Sequence, residues 1–169
     1  MKLITNGSTI GSTLWVDGRL IAENADADFG EIEFESEEID AFGKINIPIY
    51  TRPGEIKPKF TLKETGINLA ASIAPGFHRF EYRWMDTTIA ADGTTANIEK
   101  KAFFFGWPTK LPGVSPKTGE RPENEVEVSA SRYDLYISGK CIWSIDKLAH
   151  VGKINDTPIT DAVTAFLYT

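Results

Sequence analysis

Short segments in which apolar and polar residues alternate run through most of the sequence, and this pattern limits the fold more than any other feature. Residues 31–35 read Glu-Ile-Glu-Phe-Glu, and residues 57–63 and 77–84 repeat the alternation with charged residues on the polar side. Because side chains of a strand point alternately to the two faces of a sheet, each segment predicts a strand with one buried face. Residues 102–107 are continuously apolar and predict a strand covered on both faces.

Turn signals join further segments into hairpins. Asp17-Gly18 lies between two strand-like segments and supplies the positive φ angles of a type I′ turn. A second hairpin is predicted at Ser138-Gly139, between residues 125–137 and 140–145. Strand patterns therefore dominate the chain.

Helical periodicity is largely confined to residues 66–74, which end at Pro75-Gly76. The residues expected to share the buried helical face are Leu69, Ala70 and Ile73. A weaker pattern at residues 160–165 predicts one short further turn. The predicted fold class is mainly β: an antiparallel β-sandwich or barrel with one packed α-helix.

Length and composition favour a single domain over residues 1–169, since 169 residues with 41% hydrophobic content suffice for one well-filled core. The 24 acidic and 18 basic residues give a net charge of −6, which disfavours a dedicated nucleic-acid-binding protein. The lone cysteine, Cys141, excludes an intrachain disulfide. With neither a signal-like N-terminus nor a long apolar run, we expect a soluble protein of a reducing cytoplasm without stable membrane binding.

Two stretches do not fit a compact sandwich. An arm over about residues 37–56 carries strand-like residues interrupted by Pro and Gly, and a polar loop rich in Pro and Gly covers about residues 108–124. Loops longer than about 12–15 residues are uncommon in compact domains. The apolar residues of the arm are Phe42, Ile45, Ile47, Ile49 and Tyr50. Either the arm folds back onto its own sheet, or a partner covers it.

Catalytic and metal-binding signatures are weak. The chain has no Gly-x-Ser-x-Gly motif or phosphate-binding glycine loop, and only two histidines, His78 and His150. The spacing Asn24-x-Asp26-x-Asp28 with Glu35 at the twelfth position resembles a calcium loop, but Phe29 takes the place of its glycine. An ordinary acidic turn is favoured, and we expect no catalytic, cofactor-binding or metal-binding residue.

The acidic cluster that begins at Glu31, Glu33 and Glu35 allows three interpretations. It is a solvated strand face, a carboxylate pair of a glycosidase, or an anionic wall that does not retain a passing polyanion. The four tryptophans also allow two interpretations. Most of their rings belong to the core, or exposed rings bind sugars in a carbohydrate-binding β-sandwich.

Taken in order, the segments resemble the major tail tube protein of contractile-tailed bacteriophages and R-type bacteriocins. The most specific stretch is C-terminal, with a strand and turn at residues 133–140, a strand end at residues 143–146 and a turn at residues 151–156. Upstream, residues 14–18 look like the family's opening hairpin, residues 31–64 like its long arm and flanking strands, and residues 67–74 fall at its helix.

The resemblance implies a structural subunit without enzymatic activity or cofactor. Hexameric rings would stack into an inner tube whose lumen passes DNA or whose tip punctures a membrane, with contractile sheath, baseplate and terminator proteins as further partners. Assembly would take place in the host cytoplasm, before the tube joins a virion tail or tail-like particle. Phe42, Ile45, Ile47, Ile49 and Tyr50 would contact a neighbouring subunit or ring, and Glu31, Glu33 and Glu35 would face the lumen. A tube protein of a type VI secretion or extracellular injection system remains an alternative.

Overall fold

The fold is described from a computed structural model that covers residues 4–63, 67–160 and 166. Within these residues the chain forms twelve strands and one helix. In chain order they are β1 (Ile4–Val16), β2 (Arg19–Glu23), β3 (Asp26–Asp28), β4 (Phe34–Ala41), β5 (Gly43–Pro53), β6 (Lys59–Leu62), α1 (Ile67–Ile73), β7 (His78–Ala90), β8 (Thr95–Pro108), β9 (Asn124–Ile137), β10 (Lys140–Asp146), β11 (Val151–Ile154) and β12 (Thr157–Thr160). The mainly-β prediction is confirmed.

Ten strands form one antiparallel sheet that curls around the core. Its main order is β12-β11-β10-β9-β8-β7-β1-β2, and β6 joins the first part of β9 while β3 joins β6. The chain passes directly from β2 into β3 through Asn24 and Ala25. The chain thus connects the β1–β2 end of the sheet to the β3–β6 end, and the sheet curls around the core without a strand pairing between β2 and β3 among the described residues.

Aromatic side chains fill the core enclosed by the curled sheet. Phe60, Phe80 and Phe104 are fully buried, and the rings of Phe60 and Phe80 stack with centroids 5.8 Å apart. The ring of Phe104 stacks on that of Tyr133 at 4.3 Å, and burial raises the pKa of the Tyr133 phenol. The alternation in residues 57–63 and 77–84 thus correctly predicts which face of β6 and β7 is buried.

Residues 102–107, the continuously apolar part of β8, are covered differently on the two faces of the strand. Phe104 lies in the core, whereas Phe103 and Phe105 are half-buried on the opposite face. The guanidinium of Arg79 lies 5.6 Å from the ring centroid of Phe103, and that of Arg132 lies 5.2 Å from Phe105. Arginine side chains, rather than a second sheet, partly cover this face.

Helix α1 occupies the predicted position, but the predicted buried face is partly wrong. Leu69 and Ile73 pack against the core, whereas Ala70 is exposed and Ser72 is fully buried. The Ser72 hydroxyl donates a hydrogen bond to the Leu69 carbonyl at 2.7 Å, so this buried polar group has a partner. The apolar pattern of the sequence did not predict that Ser72 is buried. The short turn expected at residues 160–165 lies almost entirely outside the residues the structure describes.

The strand predicted at residues 31–35 is wrong for its first three residues. Residues 29–33 are irregular and β4 begins at Phe34, although the Glu33 carbonyl accepts a hydrogen bond from the Gly54 N–H at 2.7 Å. The predicted orientation is nevertheless observed, because Ile32 and Phe34 pack against the core. Alternating apolar and polar residues indicate that one side of an extended segment is buried. An extended segment that lies over a core shows this alternation whether or not it pairs with a neighbouring strand.

Candidate assembly surface

The arm is a β-hairpin that forms a sheet of its own. Strands β4 and β5 pair only with each other among the described residues, with Ile39 opposite Ile45 and Glu37 opposite Ile47. Phe42 occupies the tip between the two strands. We call residues 34–53 the assembly hairpin.

The assembly hairpin has one apolar and one polar face. Because directly opposite residues and residues two apart share a face, register and alternation divide its side chains into two sets. The apolar face carries Ile39, Ile45, Ile47 and Ile49, together with the charged Glu37 opposite Ile47. The polar face carries Ser36, Glu38, Asp40, Lys44 and Asn46, with the Lys44 ammonium 2.8 Å from the Glu38 carboxylate.

The described part of the chain leaves most of the apolar face exposed to solvent. Ile45 and Ile47 are 53% and 46% exposed, and the Phe42 side chain is fully exposed. An isolated two-stranded hairpin is marginally stable in water, and a row of exposed isoleucines on it is a site for association. This face is therefore the candidate assembly surface of the described residues.

The base of the assembly hairpin is anchored to the rest of the molecule. Phe34, whose ring contacts that of Tyr50 edge to face at 5.2 Å, packs against the core, and the Lys147 ammonium donates to the Gly54 carbonyl at 3.0 Å. A cavity of about 320 Å³ lies between this base and the β10–β12 region, with Ile145 and Ile159 among its lining residues. These contacts hold the base of the assembly hairpin against the rest of the molecule, whereas Phe42 at its tip is fully exposed.

The acidic residues expected at the lumen lie on the segment that leads into the assembly hairpin. Glu31, Glu33 and Glu35 are all exposed, on the side opposite the core-packed Ile32 and Phe34. Glu35 lies 3.4 Å from the Arg52 guanidinium across the base of the hairpin. One continuous segment thus carries both the acidic and the apolar candidate residues.

The calcium-like spacing does not bring its oxygen atoms together. An Asp28 carboxylate oxygen accepts from the Gly30 N–H at 2.9 Å, Asp26 pairs with Lys63 at 3.0 Å, and Glu35 pairs with Arg52. Among the described residues no group of three or more His, Cys, Asp or Glu side chains is placed to hold a metal ion. No described helix is long and apolar enough to cross a bilayer.

The tryptophans divide between core and surface. Trp84 and Trp143 pack against the core, and the Arg83 guanidinium lies 4.6 Å from the Trp15 ring. Trp107 is 45% exposed and contacts the exposed ring of Phe77 at 4.8 Å.

Two buried carboxylates on the face of the sheet opposite the core were missed by pattern reasoning. Glu81 is 4% exposed and pairs with Arg79 and Arg83, and Asp134 is 3% exposed and pairs with Arg132. Alternation places both acids on a polar face, and nothing local signals that arginines from the same strands fold over them. Their ion pairs order this face of the sheet.

The described fold is a curled antiparallel sheet from which an amphipathic hairpin projects. The chain belongs to the family described as phage tail tube protein FII, whose sequence profile matches residues 10–167. The prediction of a tail tube protein is confirmed, and the chain is a structural tail tube subunit.

A solved structure gives a second comparison. The chain is similar to a chain in the cryo-EM structure of an extracellular contractile injection system, the PVC sheath-tube complex in its extended state. The TM-score is 0.51 at 14% sequence identity, and the match covers 74% of this chain and 87% of the other. At this identity the similarity shows a shared fold. No curated protein matches the chain significantly.

Proposed function

We propose that the chain builds the inner tube of a contractile tail or injection apparatus, with the assembly hairpin as a contact between copies. The observation that carries this proposal is the row of isoleucines on one face of the hairpin, which the described part of the chain leaves exposed. Membership of the tail tube family and the fold shared with a chain of a sheath-tube complex support it. That second similarity also favours an extracellular injection system as an alternative setting to a phage tail or bacteriocin.

Stacked hexameric rings are the assembly we propose. Phe42, Ile45, Ile47, Ile49 and Tyr50 would be buried against a neighbouring subunit or ring. Full burial of one aliphatic or aromatic side chain contributes about 1.5–3 kcal/mol, so several half-exposed residues per subunit give firm association around a ring.

Glu31, Glu33 and Glu35 are proposed to face the lumen. Together with the net charge of −6 per chain, they would make the wall repel rather than retain passing DNA. A contractile sheath would surround the tube, and baseplate and terminator proteins would contact its ends. Subunits would assemble in the host cytoplasm, and no enzymatic step is assigned to them.

A pair of matched double variants tests the role of the assembly hairpin. Ile45→Asp/Ile47→Asp places two charges on the apolar face, and Ser36→Asp/Asn46→Asp places two on the polar face of the same hairpin. We expect the first variant to remain a folded subunit that forms no rings or tubes in negative-stain micrographs, and the second to assemble like the wild type. Tubes of normal appearance from the first variant would refute the role of this face.

A further inference from the structure

The face of the large sheet opposite the core carries its charged side chains in rows across the strands. Directly opposite residues of neighbouring strands share a face, so the strand register defines each row. The central row is acidic: Glu81 of β7 and Asp134 of β9 both lie opposite Phe103 of β8. Two residues along each strand, a basic row contains Arg79 of β7 and Arg132 of β9.

A second basic row lies on the other side of the acids. Arg83 of β7 lies opposite Lys101 of β8, which is exposed and lies opposite Tyr136 of β9. The residues that line a cavity of about 320 Å³ at this row are Glu99, Lys101, Phe103, Tyr136 and Gly139. Cationic side chains with aromatic rings between them are typical of surfaces that bind single-stranded nucleic acids, whose phosphates meet the cations and whose bases stack on the rings.

The two acids lie beneath the arginines and neutralise them. Glu81 accepts hydrogen bonds from Arg79 at 3.2 Å and from Arg83, and the Arg132 Nε lies 2.9 Å from the Asp134 carboxylate. The side chains of both acids are 5% exposed, whereas those of the three arginines are between 41% and 46% exposed. Each arginine is therefore bound to a buried carboxylate while much of its side chain remains open to solvent.

We propose that this face is a nucleic-acid contact surface whose affinity is held low by Glu81 and Asp134. Carboxylate and phosphate oxygens bind a guanidinium in the same way, so a phosphate competes with the buried acids for the same arginines. The acids are fixed beside the arginines, so a passing phosphate makes only brief, salt-sensitive contacts. The net charge of −6 acts in the same direction.

This property belongs to a single subunit and does not depend on assembly. It goes beyond the proposed tube in assigning a chemical role to two acids that pattern reasoning missed. A polyanion that meets this face would be released rather than held.

Replacing both acids with their amides tests the proposal. Glu81→Gln/Asp134→Asn keeps the shapes of the side chains and frees the arginines, which are exposed enough to turn towards solvent. The control, Asp40→Asn/Glu123→Gln, removes two negative charges at exposed positions away from this face. Binding is measured by fluorescence anisotropy at low salt, with a labelled oligothymidine of about 20 nucleotides and with subunits separated from assemblies by gel filtration.

We expect the Glu81→Gln/Asp134→Asn variant to bind the oligonucleotide at least about tenfold more tightly than the wild type, with a steeper loss of affinity as salt rises. The control should stay within about twofold of the wild type. Unchanged affinity in the acid variant, or an equal gain in the control, would overturn the proposal. A wild type that forms no tubes would contradict the proposed function and leave this comparison intact.

A further substitution separates the proposed contact from non-specific binding by a misfolded chain. Adding Arg79→Gln/Arg132→Gln to the acid variant should return the affinity to about the wild-type level, whereas tight binding that persists would place the contact elsewhere and overturn the proposal.

The wild type provides a test that does not depend on the folding of any variant. Photo-cross-linking at low salt to an oligonucleotide that carries photoreactive thymines should label Phe103 or Tyr136, identified by mass spectrometry of the peptides. Labelling confined to other parts of the chain, or no cross-link at all, would contradict the assignment of this face.

Discussion

His78 shows how a single residue joins segments that are distant along the chain. Its Nδ1 lies 2.7 Å from the Asp17 carboxylate in the β1–β2 turn, and its Nε2 lies 2.9 Å from the Ala74 carbonyl just after α1. Both partners are acceptors, so the two bonds are made together only by the doubly protonated, charged imidazole. The hydrogen bond to Asp17 is the main cause of a raised His78 pKa. Burial alone would raise the Asp17 pKa, but hydrogen bonds from the Arg79 N–H and His78 hold it below its ordinary value.

This arrangement predicts a pH-dependent contribution to stability. Because the folded-state pKa of His78 lies above the ordinary value of 6.5, its stabilisation is fully present below pH 6.5 and is lost as pH rises through the folded-state pKa. We expect His78→Gln to lower the free energy of unfolding by about 1 kcal/mol at pH 6 and by clearly less at pH 9, measured by urea unfolding. His150→Asn at an exposed turn is the control, and an equal loss at both pH values for His78→Gln would contradict the prediction.

Glu33 gives a residue-scale test of the lumen assignment. Glu33→Cys in a Cys141→Ser background places the single thiol on the exposed acidic segment. If this segment faces the lumen, the thiol in tubes should react with a small maleimide but at least tenfold more slowly with a polymer-linked maleimide, while the free subunit reacts with both. Equal rates with the bulky reagent in tubes and in free subunits would place the acidic segment elsewhere.

At the scale of elements, the sequence predicts turns whose conformation depends on only a few neighbouring residues. Asp17-Gly18 and Ser138-Gly139 adopt the positive φ angles that their sequences favour, and both hairpins were predicted. Asn155 and Asp156 also have positive φ angles although neither is glycine. The sequence patterns did not predict the strands β11 and β12 on either side of this turn. The alternation in residues 31–35 predicted the orientation of the side chains but not the absence of strand pairing. The apolar residues of the assembly hairpin were recognised from the sequence, but the register that collects the isoleucines on one face was not.

At the scale of the whole molecule, the curled sheet depends on strand pairs that are distant in sequence. β6 pairs with β9, so that Phe60 lies opposite Val126, and no local pattern specifies that pairing. The burial of Glu81 and Asp134 beneath arginines also arises only once several strands lie side by side. The succession of weak motifs nevertheless predicted the tail tube family, because order along the chain constrains topology more than any one motif does. The described subunit buries its aromatic core and leaves one face of the assembly hairpin exposed.

Sedimentation velocity of the purified wild-type protein over a hundredfold range of concentration, with electron micrographs of the same samples, tests this claim most directly. The exposed isoleucines of the assembly hairpin predict a shift from subunits to rings and tubes with a central hole as concentration rises. A single monomeric species throughout that range, in the same buffer and without rings in the micrographs, would contradict the account.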